Sequence, residues 1–140
     1  MDLSKLDVVK LANEGTVLEL LHPGNGEVLT DKGDKLGDPK NIKPFYVRML
    51  GSDSDVYREG TKRHLEKSMN SKKKAKVDLD DAKLKAAELI AKCTTECYFI
   101  ENGKVVECNK SEMIRIYLKY PWIREQAEAH MGDRSALMQS

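Results

Sequence analysis

The chain has 140 residues, of which 40% are hydrophobic, 34% charged and 6% aromatic. That is room for one domain with an aliphatic core, and the composition is not that of a disordered chain. Lys plus Arg is 24 against 23 Asp plus Glu, so a basic surface spread over the whole protein is excluded. No apolar run approaches the roughly 18 residues of a membrane span, and the start MDLSKLDVVK lacks a secretion signal. The expectation is a cytosolic protein with no membrane contact.

The first fifty residues read as a small antiparallel sheet. Residues 5–14 suit a short helix with Leu6, Val9 and Leu11 inward and Gly15 as its stop. Thr16 to Leu21 reads as a strand, Pro23 to Gly26 as a turn, and Glu27 to Thr30 as a short partner strand. Residues 31–43 are polar and rich in Gly and Asp, hence a loop. FYVRML after Pro44 is a strand by its β-branched and aromatic content. Phe45, Val47 and Met49 point to one face.

The character changes at Gly51. Ser52 is a candidate N-cap, with Asp53 and Asp55 in the first turn. The helix behind it carries Val56, Tyr57, Leu65 and Met69, a thin apolar stripe weakened by Gly60, as in a long exposed helix. Residues 68–74 form a breaker and charge cluster. Asp78 then caps a better helix, with Leu79, Ala82, Ala86, Leu89, Ile90 and Cys93 at helical period. Asn102-Gly103 is a strong hairpin signal, and a two-residue turn pairs Glu101 with Lys104, Phe99 with Val106 and Cys97 with Cys108. The two thiols then face one another at a Cα separation of about 5.5 Å, where a disulfide is geometrically conceivable; in a reducing cytosol free thiols are expected. Asn109 with Glu112 caps the next helix, which carries Met113, Ile114, Ile116, Tyr117 and Leu118. Pro121 ends it and opens a last helix with Trp122, Ile123, Ala127 and Met131, stopped at Gly132. The fold class expected is α+β: a small N-terminal antiparallel sheet over 1–50, then a mostly helical half over 51–140 containing the hairpin 97–108.

No constellation for catalysis appears. There is no phosphate-binding glycine loop, no nucleophile elbow and no metalloprotease motif. Three cysteines without a close pair and three scattered histidines do not make a zinc site, and helix capping explains Asp53 and Asp55 without an ion. The expectation is no enzyme, no cofactor and no metal. The basic segment 58–76 reads either as a patch for nucleic acid or as a solvated linker; the lack of interleaved aromatics favours the linker.

Three stretches carry a resemblance. They are Leu11 to Leu29 (LANEGTVLELLHPGNGEVL), Leu50 to Arg58 (LGSDSDVYR) and Tyr120 to Gln126 (YPWIREQ) with Asp133-Arg134 after it. In this order they resemble the tail assembly chaperones of long-tailed bacteriophages, over nearly the whole chain. The family's Trp near Tyr98 and its aromatic near Leu137 are absent. The resemblance implies a non-enzymatic binder in the host cytoplasm that coats the tape measure protein, keeps its apolar helices soluble and recruits tail tube subunits. It leaves self-association, and whether the chain stays in the virion, open. Candidate partner contacts are Tyr117, Tyr120, Trp122 and Ile123 at the helix–Pro–helix corner, where Trp122 is either an interface anchor or the core anchor. Tyr57 and Arg58 either fix the first long helix to the sheet or face a partner. Leu137 and Met138 in the tail are the third candidate. The rival readings are a structural virion protein of the tail or head–tail joint, and a small nucleic-acid-binding regulator acting through 58–76.

Overall fold

A computed structural model describes residues 3–31, 43–70 and 79–133. The fold is α+β, as expected. A 3-10 turn at Leu3–Leu6 leads into helix α1 (Val8–Glu14). The single helix expected over 5–14 is broken at Asp7, whose side chain accepts the Lys10 amide at 3.1 Å and so caps α1. Leu6 is consequently exposed and Ala12 is the buried residue of α1, a correction to the inward set expected. Gly15 ends the helix with φ of +82°, and a Cβ there would meet the Met49 carbonyl oxygen at 3.0 Å.

Strands β1 (Thr16–Glu19), β2 (Tyr46–Met49) and β3 (Thr94–Tyr98) form one antiparallel sheet with β2 in the middle. Val17 pairs with Arg48, and Val47 pairs with Cys97. Val47 and Met49 are buried while Tyr46 and Arg48 are half-buried, as the alternation of a strand demands. The partner strand expected at 27–30 is reduced to two isolated bridges, Leu21 with Val28 and Thr30 with Pro44. The loop expected over 31–43 lies outside the described residues, apart from its two ends.

As regular strand the hairpin is shorter than expected, although the expected Phe99–Val106 pair still meets, the Val106 amide donating to the Phe99 carbonyl at 3.0 Å. Strands β4 (Ile100–Glu101) and β5 (Lys104–Val105) pair Ile100 with Val105 and Glu101 with Lys104. Asn102 and Gly103 both have positive φ, as a two-residue turn of this type requires. Residues 94–98, of which 97 and 98 were expected in the hairpin, pair with β2 on their other edge. The sheet therefore takes strands from both sides of residue 50.

Helix α2 (Asp55–Asn70) starts later than expected. Ser54, not Ser52, caps it: the buried Ser54 hydroxyl accepts the Tyr57 amide at 3.3 Å. Gly60 is buried in this helix because Leu89 of α3 (Leu79–Cys93) lies against it; a Cβ would overlap Leu89 Cδ1. The glycine read as a weakness is a packing notch. Val56 and Leu65 are exposed, in keeping with a mostly solvated helix. The basic run 72–76 and the expected cap Asp78 lie outside the described residues.

Asn109 caps α4 (Lys110–Lys119) by accepting the Glu112 amide at 2.9 Å, as expected. Pro121 opens α5 (Pro121–Met131), and Gly132 ends it. The core joins sheet and helices through Leu20, Met49, Ile90, Met113, Ile116 and Tyr117. Two side-chain amides tie the N-terminal segment to later elements. Gln126 accepts the Leu21 amide at 2.9 Å and donates to the Leu21 carbonyl at 2.8 Å. Asn13 accepts the Asp55 amide at 2.8 Å and donates to its carboxylate at 3.0 Å.

Candidate partner-binding site

The corner between α4 and α5 is built by proline. Pro121 has no amide hydrogen to continue α4, and it forces the preceding residue out of helical geometry. Tyr120 accordingly adopts φ −119° and ψ 82° and serves as the end of one helix and the start of the next. This brings the Tyr120 and Trp122 rings edge to face, with centroids 6.3 Å apart at 69°.

A charged knot holds the hairpin against this corner. Tyr120 Oη donates to Glu101 Oε2 at 2.6 Å. Arg115 reaches Glu101 Oε1 at 2.9 Å, and Lys119 reaches Oε2 at 3.3 Å. Arg115 also pairs with Glu112 at 2.6 Å. The hydrogen bond from Tyr120, aided by Arg115 and Lys119, outweighs the desolvation of Glu101 and lowers its pKa to about 2. Glu101 is therefore a carboxylate at any ordinary pH, with three donors converging on it.

Behind the knot lies a groove of about 310 Å³. Leu20, Leu29, Phe45, Phe99, Trp122 and Ile123 give it an apolar lining, and Glu101 and Tyr120 stand at its polar side. Concave, mainly apolar walls with few polar groups suit the burial of an apolar segment. A larger hollow of about 540 Å³ beside the hairpin is lined by charged groups including Lys104, Glu107 and Glu112, and its Arg115 is already paired. A third hollow of about 220 Å³ lies between α2, α3 and the end of α5.

The structure brings together Tyr120, Trp122 and Ile123 among the residues singled out from sequence. Trp122 is half-buried; it packs on the core and also lines the groove. Tyr117 does not join them. It is 0% exposed, facing α3, with its hydroxyl 2.7 Å from Thr94 Oγ1, and burial raises its pKa. Its place as a partner contact is corrected to a core residue. Tyr57 is half-buried in the third hollow with Leu89 and Met131, and Arg58 is exposed beside it. Leu137 and Met138 lie outside the described residues. Sequence reading missed Leu20, Leu29, Phe45, Phe99 and Glu101 as groove residues. They come from distant segments, and only the Asn102-Gly103 turn next to Glu101 gave a local signal.

Among the described residues, no group of three or more His, Cys, Asp or Glu is gathered as for a metal ion. No described helix is long and apolar enough to cross a membrane. Compared with models of known protein families, with curated proteins and with solved structures, the chain matches none.

Proposed function

We propose that the chain is a non-enzymatic binding protein of the tail assembly chaperone type, which takes an apolar helical segment of a tape measure protein and recruits tail tube subunits. The observation that carries the reading is the apolar groove beside Tyr120 and Trp122. The sequence resemblance supplies the identity of the partner. A chaperone of this kind needs an apolar surface that stays open in the free protein and a charged exterior that keeps it soluble. Trp and Tyr at such a surface give large contact area at small cost in conformational entropy. The Glu101 knot fixes one wall of the groove before the partner arrives, which reduces the ordering needed on binding.

The test is co-expression of the full chain with a tape measure fragment and, separately, with the tube subunit, followed by size exclusion. A soluble complex with a fragment that precipitates alone supports the reading. Trp122→Ala should lose that complex, while Arg58→Ala, away from the groove, should keep it. Recovery of the chain in purified particles, with no such complex in either co-expression, would replace the reading by a structural component of the tail.

A further inference from the structure

Cys97 and Cys108 lie beside one another just beyond the paired strands of the hairpin, with their thiols within hydrogen-bond reach. Ile100 pairs with Val105, and one step outward the Val106 amide donates to the Phe99 carbonyl at 3.0 Å. Cys97 and Cys108 stand two residues further along the two arms. Two thiols that reach one another in this way need only a small approach to come within the span that a disulfide bridges. Cys97 Sγ already leans over this edge, 4.0 Å from the Val106 carbonyl oxygen. The backbone of Cys97 is held on its other side by pairing with Val47. Burial first, and the nearby Cys108 thiol second, raise the Cys97 pKa. The two thiols differ in access: Cys108 is exposed and Cys97 half-buried.

We propose that Cys97 and Cys108 form a reversible dithiol site, oxidised by glutathione disulfide to an internal disulfide that staples β3 to the segment entering α4. Cys108 releases its proton to solvent, and its thiolate attacks one sulfur of glutathione disulfide. The S–S bond of the oxidant breaks, one glutathione thiolate leaves and is protonated, and a mixed disulfide remains on Cys108. Cys97 then gives up its proton to water and attacks the Cys108 sulfur, expelling the second glutathione. The protein loses two hydrogens and two electrons, and the oxidant gains them as two molecules of glutathione. The division of labour follows exposure: the accessible sulfur is attacked from outside and the sheltered one resolves. Cys93 takes no part, because it is fully buried at the end of α3 and out of reach of the oxidant, whereas Cys97 is half-buried beside Cys108. This site is independent of the docking groove.

The full chain, fully reduced, is equilibrated in buffers of stepped reduced-to-oxidised glutathione ratio. Remaining thiols are then alkylated in denaturant, and intact mass and peptides are read. The wild type and Cys93→Ser should show an internal Cys97–Cys108 bond exceeding the glutathione adduct by about tenfold or more. Cys97→Ser should stop at the adduct on Cys108, and Cys108→Ser should stay reduced at the same ratio. Circular dichroism of each reduced variant reports its fold, and Cys97→Ala replaces Cys97→Ser if the hydroxyl unfolds the chain. An adduct on Cys108 that persists in the wild type would overturn the proposal. So would a bond that includes Cys93, or a wild type that stays reduced where Cys97→Ser takes the adduct.

Discussion

Tyr120 and Glu101 are joined by a 2.6 Å hydrogen bond that closes one side of the groove, although 19 residues separate them. One end belongs to a proline-built corner and the other to an Asn-Gly hairpin, so two local devices meet in a single contact. Arg115 and Lys119 come to the same carboxylate from successive turns of α4. The geometry of the groove wall therefore depends on the ionisation of Glu101.

The first prediction concerns acid stability. Glu101 has a folded pKa of about 2, below its ordinary value of 4.5. A depressed carboxylate stabilises the fold above its unfolded pKa, and that share is withdrawn as pH falls from about 4.5 toward 2. Thermal unfolding followed by circular dichroism should show the wild-type midpoint dropping across this window. Glu101→Gln should start lower at pH 7 and fall less steeply through it. Tyr120→Phe, which removes the largest of the contributions, should give an intermediate slope. Parallel acid limbs for wild type and Glu101→Gln would remove Glu101 from this role.

The second prediction concerns the notch at Gly60. Alanine in place of glycine within an exposed helix gains about 1 kcal/mol. At Gly60 the new Cβ would overlap Leu89 Cδ1, the end of a half-buried side chain that must turn aside, and that displacement takes back part of the gain. Gly60→Ala alone should therefore stabilise by less than about 1 kcal/mol. In a Leu89→Ala background the same substitution should give the full gain, and denaturant titration of the four chains should give a coupling of about 0.5 kcal/mol or more. Additive effects would mean that α2 and α3 do not press together at this position.

Much of this fold was legible because local chemistry decided it. The Asn109–Glu112 cap, the Asn102-Gly103 turn and the Pro121 break each satisfy backbone groups within a few residues, so sequence alone located them. Elements decided by distant neighbours were misread. Residues 97–101 look like one hairpin arm, yet β2 offers an unpaired edge, and β3 takes it before the turn begins. Gly60 looks like a helix defect until Leu89 is placed against it. Tyr117 and Tyr120 are alike in sequence, and only the packing of α4 against α3 separates a core tyrosine from a groove tyrosine. The groove itself has no local signature, since Leu20, Phe45, Phe99 and Trp122 meet only when sheet and helices assemble.

The third prediction concerns the buried Thr94–Tyr117 pair. Thr94 Oγ1 donates to the Ile90 carbonyl at 2.8 Å and lies 2.7 Å from Tyr117 Oη. Thr94 has one hydroxyl hydrogen, and it is committed to Ile90, so Tyr117 is the donor of the second bond. Thr94→Val should cost about 1–3 kcal/mol, because the Tyr117 hydroxyl is then left buried without an acceptor. Tyr117→Phe should cost less, about 1 kcal/mol, since Thr94 keeps its donor satisfied. The double variant should be less destabilised than the sum of the two. Equal costs for the single variants, read by denaturant unfolding, would reverse the donor assignment.

The last prediction rests on His130, which joins α5 to β1. Its Nε2 lies 2.7 Å from Thr16 Oγ1 in a half-buried position. Desolvation lowers its pKa below the ordinary 6.5, against the pull of Asp133 and Thr16 in the opposite sense. The folded state therefore binds the proton less readily than the unfolded state does. Stability is whole above pH 6.5 and is lost as pH falls through 6.5 toward the depressed folded value. His130→Gln keeps a polar side chain near Thr16 but cannot titrate, so its unfolding free energy should be flat over that window while the wild type declines. Because Thr16 lies at the start of β1 and His130 near the end of α5, amide exchange at β1 should quicken in the wild type as the imidazole is protonated. Exchange at the distant hairpin should not change over the same range. A wild type as flat as His130→Gln would show that the imidazole titrates alike in both states.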